Sequence, residues 1–256
     1  MHSHPPHFLI TGAGSGIGRA IALRLAARGA AISLLGRTER TLRETEHLAQ
    51  AAGATQTAVV IADIRNQSQV VQATQQAVDA LGPLKGIVAN SGIGGPNFPG
   101  EQDRFTDLIE TNLIGTYTTL RAAQPHLCTG EPTYMVVISS ILGRFGVPGY
   151  TGYCASKTAL LGLVRALALE LAGNDVHVNA VCPGWVDTDM AREGLEGMAE
   201  GMKVSLDEAK AIAMKAVPMG RMSTPEDIAG LVAWLTSPDA RGVTGQGIDM
   251  NGGAWM

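Results

Sequence analysis

The chain has 256 residues, a length common for one α/β unit, and a net charge of −4. Because there is no basic excess, the composition excludes broad binding along a nucleic-acid backbone, although small anionic ligands need only a few local donors. With 45% hydrophobic and 16% charged residues, the chain has enough apolar material for a large buried core.

Short apolar runs alternate with longer helical patterns along the chain. The predicted strands cover residues 7–11, 30–36, 56–62, 85–90, 133–140, 176–182 and 246–250. The predicted helices cover about 16–29, 39–52, 67–81, 101–127, 151–173 and 225–236. Near-continuous apolar strands in this alternation are typical of a parallel sheet covered on both faces. Since no linker or charge run divides the chain, we expect one α/β domain over residues 1–256.

One segment, 187–217, interrupts this rhythm and is rich in methionine and acidic residues. It is interpreted either as a substrate lid or as a surface helical insertion. Its apolar positions, Met190 among them, would form an adaptable substrate lining. The alternative is that they are ordinary core-facing positions of helices.

The cysteines and histidines give no sign of a disulfide or metal site. The three cysteines are widely spaced and form no C-x-x-C pair, which favours reduced thiols in a cytoplasmic protein. Near the start, three histidines are interpreted as a solvated leader, not a metal site: His2, His4 and His7. We therefore expect no metal.

No segment has the pattern of a membrane or export signal. The start lacks the charged region and apolar core of a signal peptide. The longest apolar run, 158–173, contains Arg165 and Glu170, so we expect a buried helix and no membrane span.

The segment TGAGSGIG, residues 11–18, lies between the first strand and the first helix. Its glycines allow a tight turn and let backbone N–H groups approach a pyrophosphate, and the helix N-terminus favours negative charge. A glycine cluster alone is also compatible with a simple tight turn. The strand before it and the helix after it favour a dinucleotide site.

The residues that end the second strand favour one cofactor. About twenty residues after the glycine turn, an NAD site usually carries an acid that accepts the ribose hydroxyls. Here the chain has Gly36, Arg37 and Thr38. Removing the carboxylate and adding a guanidinium suits a 2′-phosphate, which predicts NADP. The alternative is that Arg37 is a solvated residue at the start of the next helix.

A second cluster indicates acid–base chemistry. Tyr153 and Lys157 are four residues apart at the start of a helix, so their side chains share one face. An ammonium beside a phenol favours the phenolate and makes the tyrosine a usable acid or base. Ser140, at the end of the preceding strand, is placed to bind a substrate oxygen.

In combination these residues resemble the short-chain dehydrogenase/reductase family. The resemblance rests on T-G-x-x-x-G-x-G at 11–18, Y-x-x-x-K at 153–157, a serine thirteen residues before the tyrosine, and PGWVDT at 183–188. It extends from Phe8 to the C-terminus, and the C-terminal half is similar to ketoacyl and polyketide ketoreductases. It implies a Rossmann-type doubly wound fold and NAD(P)-dependent interconversion of ketone and alcohol.

The resemblance also implies residue roles. Tyr153 would be the acid or base, Lys157 would lower its pKa, Ser140 would polarise the carbonyl, and Asn112 would support a proton path to the lysine. The implied cofactor-binding residues are Gly12, Ser15, Gly16, Ile17, Gly18, Arg37, Thr38, Asp63, Ile64, Asn90, Gly92, Tyr153, Lys157, Pro183, Gly184, Val186 and Thr188. The expected substrate wall consists of Ile93, Ile141, Phe145, Tyr150 and Met190. One departure is Ala89-Asn90-Ser91-Gly92, where the family has Asn-Asn-Ala-Gly.

We therefore expect an NADP-dependent oxidoreductase that interconverts a ketone and a secondary alcohol on an apolar or acyl substrate. In 187–217 acids outnumber bases, which favours a free carbonyl compound over a carrier-bound chain. The alternatives are an NAD-dependent alcohol or dihydrodiol dehydrogenase and a non-catalytic dinucleotide sensor. The resemblance further implies a cytoplasmic homotetramer with a small-molecule substrate and no nucleic-acid or membrane partner.

Overall fold

The computed structural model of the protein describes residues 5–256. Its strands lie close to the predicted ones. They are β1 (His7–Thr11), β2 (Ala31–Gly36), β3 (Thr57–Ile61), β4 (Gly86–Ala89), β5 (Thr133–Ile138), β6 (Val176–Pro183) and β7 (Gly247–Met250).

The helices alternate with these strands. They are α1 (Gly16–Ala26), α2 (Glu39–Ala52), α3 (Gln67–Leu81), α4 (Phe105–Ile109), α5 (Thr116–Ala123), α6 (Thr151–Leu171), α7 (Asp189–Met202), α8 (Leu206–Lys215) and α9 (Pro225–Leu235). Where a single helix was predicted over 101–127, the π-helical segment Glu110–Gly115 separates α4 from α5. This segment contains Asn112, and such π-helical turns occur often at functional sites.

All strands of the sheet are parallel, in the order β3-β2-β1-β4-β5-β6-β7. From β1 the chain first winds outward to β3 and then returns to β4 on the other side of β1. This reversal opens a crevice at the carboxyl ends of β1 and β4, the usual ligand site of such sheets. The strands β1, β5 and β6 are buried along their whole length, as expected for a sheet covered on both faces.

Two apolar cores lie on opposite faces of the sheet. One packs α1, α2 and α9 against the strands, and the other packs α3, α5 and α6. The predicted single-domain, doubly wound Rossmann-type fold is therefore confirmed.

The insertion between β6 and α9 consists of α7 and α8, which pack on each other. Its apolar positions divide into two groups. Leu195 is buried, whereas Met190, Met202 and Leu206 are each more than 40% exposed. The segment is therefore helical, with some apolar positions in the core and others at the surface, and its role as a substrate lid stays a prediction.

The remaining sequence-based expectations concern thiols, metals and membranes. All three cysteines are free. The interpretation of His7 as part of a solvated leader is wrong, because it is buried in β1 with its ring nitrogens 2.8 Å from Gly82 O and from Ser33 Oγ. His2 and His4 lie outside the described residues. From residue 5 to residue 256, no group of His, Cys, Asp and Glu side chains is arranged to hold a metal ion. Over the same range, each helix is too short or too polar to traverse a bilayer.

Candidate active site

The glycine turn between β1 and α1 depends on the absence of side chains. Gly12 and Gly16 have φ of 64° and 51°, in the left-handed region that favours glycine. A Cβ on Gly18 would lie 2.2 Å from the carbonyl oxygen of Gly12. The N-cap of α1, Ser15, makes no side-chain capping bond, and the first turn carries no acidic residue. An anion is therefore favoured at this helix start.

Asn90 fixes the turn to the end of β4. Its Nδ2 donates to the carbonyl oxygens of Thr11 at 3.0 Å and Gly12 at 3.3 Å. The backbone N–H groups of Asn90 and Ser91 both donate to Thr11 Oγ1 at 3.0 Å. These bonds hold the turn in place although the family's Asn-Asn-Ala-Gly is here Ala-Asn-Ser-Gly.

The segment after β6 reaches the same turn. A Cβ on Gly16 would lie 3.3 Å from the methyl group of Thr188. The Thr188 hydroxyl donates to Val186 O at 3.2 Å and accepts from Ala191 N, which caps α7. Gly184 packs directly on Asn251, at 3.0 Å from where its Cβ would stand. The structure thus brings 183–188 and the glycine turn to one crevice.

At the end of β2, Arg37 is exposed and forms no hydrogen bond or ion pair with any residue in 5–256. Nearby, Asp63 forms an ion pair with Arg65 at 2.7 Å. The hydrogen bond from Arg65 lowers the pKa of Asp63, and the charge of Arg37 adds a smaller contribution in the same direction. Ile64 is buried, and its side chain packs against Gly115. The free guanidinium of Arg37 therefore stands at the edge of the crevice.

The structure brings the four predicted catalytic residues together. Ser140 lies close enough to Tyr153 for its hydroxyl to lower the pKa of the phenol, and Ser140 Oγ accepts from Leu142 N at 3.1 Å. The Lys157 ammonium lies 5.7 Å from the centre of the Tyr153 ring and donates to Ile138 O at 3.0 Å. A Cβ on Gly92 would lie 3.0 Å from Asn112 Oδ1 and 3.5 Å from Lys157 Nζ. Gly92 thus allows the asparagine and the lysine to approach each other.

Asn112 is fully buried and satisfied on both sides of its amide. Its Oδ1 accepts from Ile93 N at 2.8 Å, and its Nδ2 donates to Ile93 O at 3.0 Å and to Ser156 Oγ at 3.2 Å. The Ser156 hydroxyl in turn donates to the carbonyl oxygen of Tyr153 at 2.8 Å. The π-helical segment is therefore linked to the first turn of α6.

The proton affinities of Tyr153 and Lys157 are both shifted by burial. Burial raises the pKa of Tyr153, and the nearby Ser140 hydroxyl only partly opposes this effect. Burial also lowers the pKa of Lys157 to about 8. Desolvation dominates the pKa of Tyr153 in this structure, and the Lys157 ammonium donates to Ile138 O, so the lowering of the tyrosine pKa by Lys157 stays a prediction. Tyr153 is therefore a neutral phenol, which is a proton donor.

On the substrate side, Met190 lies beside Tyr153. A Cβ on Gly94 would lie 3.1 Å from Met190 Sδ and 3.9 Å from Tyr153 Cε2. The ring of Tyr150 contacts that of Tyr153 edge-on, with centres 6.5 Å apart. Ile93 is held by Asn112, and Ile141 follows Ser140 in a 3₁₀ turn.

Phe145 is tied to the C-terminal segment: its ring stacks on that of Trp255, with centres 5.4 Å apart. Two further residues of the site were not found from the sequence. Ser139 Oγ donates to Lys157 O at 2.9 Å, and Asn97 Oδ1 accepts from Gly152 N at 2.8 Å. Ser139 was hidden by its neighbour Ser140, and Asn97 lies in a loop of glycine and proline without periodicity.

Comparisons with known proteins agree with this geometry. The family model described as enoyl-(acyl carrier protein) reductase matches residues 12–254. The chain is 33% identical to the 3-oxoacyl-(acyl-carrier-protein) reductase of Staphylococcus aureus over 97% of each chain.

Two solved structures are similar over nearly the whole chain. A variant of actinorhodin polyketide ketoreductase with NADPH has a TM-score of 0.90 at 34% identity, covering 98% of this chain and 97% of that one. A blue fluorescent protein from a metagenomic library, in complex with NADPH, has a TM-score of 0.86 at 32% identity over 99% of both chains. With the doubly wound sheet, the glycine turn and the Ser–Tyr–Lys arrangement, these matches establish that the chain belongs to the short-chain dehydrogenase/reductase family.

Proposed function

We propose that the protein is an NADP-dependent oxidoreductase that interconverts a ketone and a secondary alcohol. One observation carries this proposal: Ser140, Tyr153, Lys157 and Asn112 converge at the crevice that the glycine turn also borders. A non-catalytic dinucleotide sensor would not need this set of proton-transferring groups.

The described residues fit a dinucleotide with a 2′-phosphate. The turn at Gly12, Gly16 and Gly18 forms a cradle that side chains would fill. Arg37 offers an unpaired guanidinium at the edge of β2, and Thr38 adds a hydroxyl. A residue larger than Gly36 would crowd Leu42, whose Cδ2 lies 3.3 Å from the Cβ position. The two similar structures that contain NADPH support the same cofactor.

The other implied cofactor contacts line the same crevice. Thr188 and Val186, after β6, would hold the carboxamide, and Asn90 would line the floor of the cleft. Asp63 and Ile64 would border the adenine. As Ile64 has its side chain buried against Gly115, its contribution would come from the backbone.

In the reducing direction, Tyr153 donates the proton to the carbonyl oxygen of the substrate. NADPH supplies the hydride to the carbonyl carbon. Ser140 binds the same oxygen and polarises the carbonyl, since its hydroxyl lies near that of Tyr153. Lys157 would hold the nicotinamide ribose and stabilise the negative charge that develops on Tyr153. Asn112 orders the proton path toward Lys157.

For the substrate, we favour a free apolar ketone over a carrier-bound acyl chain. Ile141, Tyr150 and Met190 give the entrance an apolar wall, and the acidic excess of 187–217 would repel an acidic carrier protein. The carrier-bound substrate in the name of the S. aureus relative makes the acyl thioester the second candidate.

We further propose a single catalytic domain over 1–256 in which 187–217 forms the substrate lid. The protein acts in the cytoplasm as a homotetramer. Exposed apolar residues on the outer helices support this assembly, since Ile114 and Tyr117 are about half exposed and Leu169 is 85% exposed.

The test is to follow the absorbance of the reduced nicotinamide with NADPH and with NADH. The panel contains free ketones, 3-oxoacyl thioesters and enoyl thioesters, with Tyr153→Phe as the inactive control. We expect NADPH-dependent reduction of ketones that Tyr153→Phe abolishes. Faster turnover with NADH would overturn the cofactor assignment. Reduction of enoyl thioesters alone would overturn the carbonyl chemistry, and full activity of Tyr153→Phe would remove the acid–base role.

A further inference from the structure

The helix that carries Tyr153 and Lys157 is not capped by its own residues. Its N-cap, Tyr150, makes no side-chain capping bond. The first N–H groups of an α-helix have no partner within the helix, so a buried helix start needs acceptors from elsewhere. Here the acceptor is Asn97, which lies far away in sequence, in the loop between β4 and α4. Its Oδ1 accepts from Gly152 N at 2.8 Å.

The opposite side of the same amide reaches a second helix. Asn97 Nδ2 donates to Asp103 Oδ1 at 2.9 Å and to Thr151 Oγ1 at 3.0 Å. Asp103 Oδ1 also accepts from Phe105 N at 3.0 Å, the first residue of α4. The pair Asn97–Asp103 therefore caps the starts of α4 and α6 at once.

The space around this amide is closely packed. Asn97 is 6% exposed, and its own N–H donates to Gly149 O at 2.7 Å. A Cβ on Gly152 would lie 3.0 Å from Leu108 and 3.2 Å from both Asn97 Oδ1 and Phe105 Cα. Gly152 thus lets α6 approach α4, and Asn97 fills the remaining polar gap between them.

We infer that Asn97 is a positioning residue for the reaction, which fixes the start of α6 so that Tyr153 meets Ser140 and the substrate oxygen. Gly152 directly precedes Tyr153, and Ser156 links the same helical turn to Asn112. Asn112 in turn holds Ile93, four residues before Asn97. Both ends of 93–97 are therefore bound to the catalytic elements, and a shift at Asn97 moves the tyrosine. The kinetic test of this inference rests on the proposed function, because it measures ketone reduction. The spectroscopic test does not rest on it.

The kinetic test compares Asn97→Ala with Thr224→Ala, which removes the cap of α9 outside the crevice. We expect Asn97→Ala to lower kcat by about 10- to 100-fold, since displacements near 1 Å have effects of this size. The KM for NADPH should change by less than about twofold, because the glycine turn and Arg37 are not touched. Thr224→Ala should lower the midpoint of thermal unfolding and leave kcat unchanged.

A rescue experiment separates positioning from general destabilisation. Asn97→Asp removes the amide donor and places a second carboxylate against Asp103, so it should lose activity. Asp103→Asn keeps an Oδ1 that can accept from Asn97 Nδ2 and from Phe105 N, so it should retain activity. The double variant Asn97→Asp/Asp103→Asn restores one acceptor toward Gly152 N and one amide donor between the two residues. We expect it to recover kcat to within about threefold of the wild type.

The ionisation of Tyr153 can be measured without turnover. Its ultraviolet absorbance is followed against pH, and the spectrum of the matched variant that also carries Tyr153→Phe is subtracted. The nearby Ser140 hydroxyl lowers the pKa of Tyr153. If Asn97→Ala moves the tyrosine away from Ser140, the titration should shift to higher pH, and the double variant should reverse this shift. The inference is overturned if Asn97→Ala is less stable but has the kcat and the tyrosine titration of the wild type. It is also overturned if the double variant does not recover kcat. A wild type that titrates as described but reduces no ketone would refute the proposed function instead.

Discussion

The glycine turn, which we assign to the cofactor wall, and α7, which we assign to the substrate wall, are packed in opposite ways. In the glycine turn, a Cβ on Gly14 or Gly18 would lie 2.5 Å or less from Thr41 Oγ1 or from Gly12 O. In α7, Gly197 and Gly201 are exposed, and Cβ atoms on them would meet nothing within 4 Å. The cofactor wall is therefore determined atom by atom, whereas the helix of the substrate wall has a free outer face.

This difference follows from what each wall has to recognise. The cofactor is the same molecule in every turnover, so backbone groups can be held at fixed distances from its bound conformation without loss. Exposed methionines such as Met190 and Met202 are flexible and adapt to different apolar shapes. We therefore expect substitutions in the glycine turn to be severe and substitutions in 187–217 to be mild.

The largest contrast should come from one pair of identical changes, Gly18→Ala and Gly197→Ala. In Gly18→Ala the new methyl group would overlap the carbonyl oxygen of Gly12, so we expect a loss of about 3 kcal/mol in the free energy of unfolding and loss of NADPH binding. In Gly197→Ala the helix gains about 0.5–1 kcal/mol, because alanine is the better helix former. Urea unfolding and cofactor fluorescence titration measure both. Equal stability of the two variants would contradict the packing difference.

Arg37→Asp tests the one position where the cofactor wall recognises charge. The substitution replaces an unpaired guanidinium with a carboxylate beside Asp63, which repels a 2′-phosphate and suits ribose hydroxyls. We expect the ratio of kcat/KM for NADPH over NADH to fall about 100-fold. Arg40→Asp, at the second residue of α2, is the control, because Arg40 is already paired with Glu44. If both variants change the ratio equally, the effect is one of general surface charge.

Lys157→Met separates stability from activity at the catalytic lysine. Burial lowers the pKa of Lys157 to about 8, below its value in the unfolded chain. Between about pH 8 and 10.5 the unfolded state therefore binds more protons than the folded state. Below pH 8 the buried charge of Lys157 lowers the free energy of unfolding. This loss of stability disappears as the pH rises to 10.5.

We expect Lys157→Met to be inactive but about 2 kcal/mol more stable near neutral pH, after the lost bond to Ile138 O is subtracted. This advantage should vanish toward pH 10.5. In the wild type, kcat for ketone reduction should fall as the pH rises through about 8 and the ammonium is lost. Urea unfolding and initial rates across this range measure the two effects. A gain in stability that does not depend on pH would show that charge burial is not its cause.

The sequence predicted the tightly packed regions better than the open ones, for a physical reason. The strands and the glycine turn have local patterns, so β1 and α2 were predicted with the bounds that the structure has. At the π-helical segment that contains Asn112, Gly115 packs against Ile64, and the cap from Asn97 to Gly152 spans the fold. Neither long-range contact leaves a periodic pattern. The upward shift in the pKa of Tyr153 could not be predicted for the same reason, because it comes from burial, and burial is a property of the whole fold.

The smallest effect should come from Met190→Ala, and it tests whether the open wall selects the substrate. Met190 borders Gly94 next to Tyr153, whereas Met202, at the other end of α7, is equally exposed and has no such neighbour. We expect Met190→Ala to lower the KM for bulky ketones and raise it for small ones, each by about threefold, because one flexible apolar contact contributes less than 1 kcal/mol. KM for NADPH and kcat should stay unchanged, and Met202→Ala should behave as the wild type. If Met202→Ala alters the ketone preference as much as Met190→Ala, the substrate is not selected at the contact between α7 and Gly94. The segment 187–217 then acts on the substrate only through its overall position.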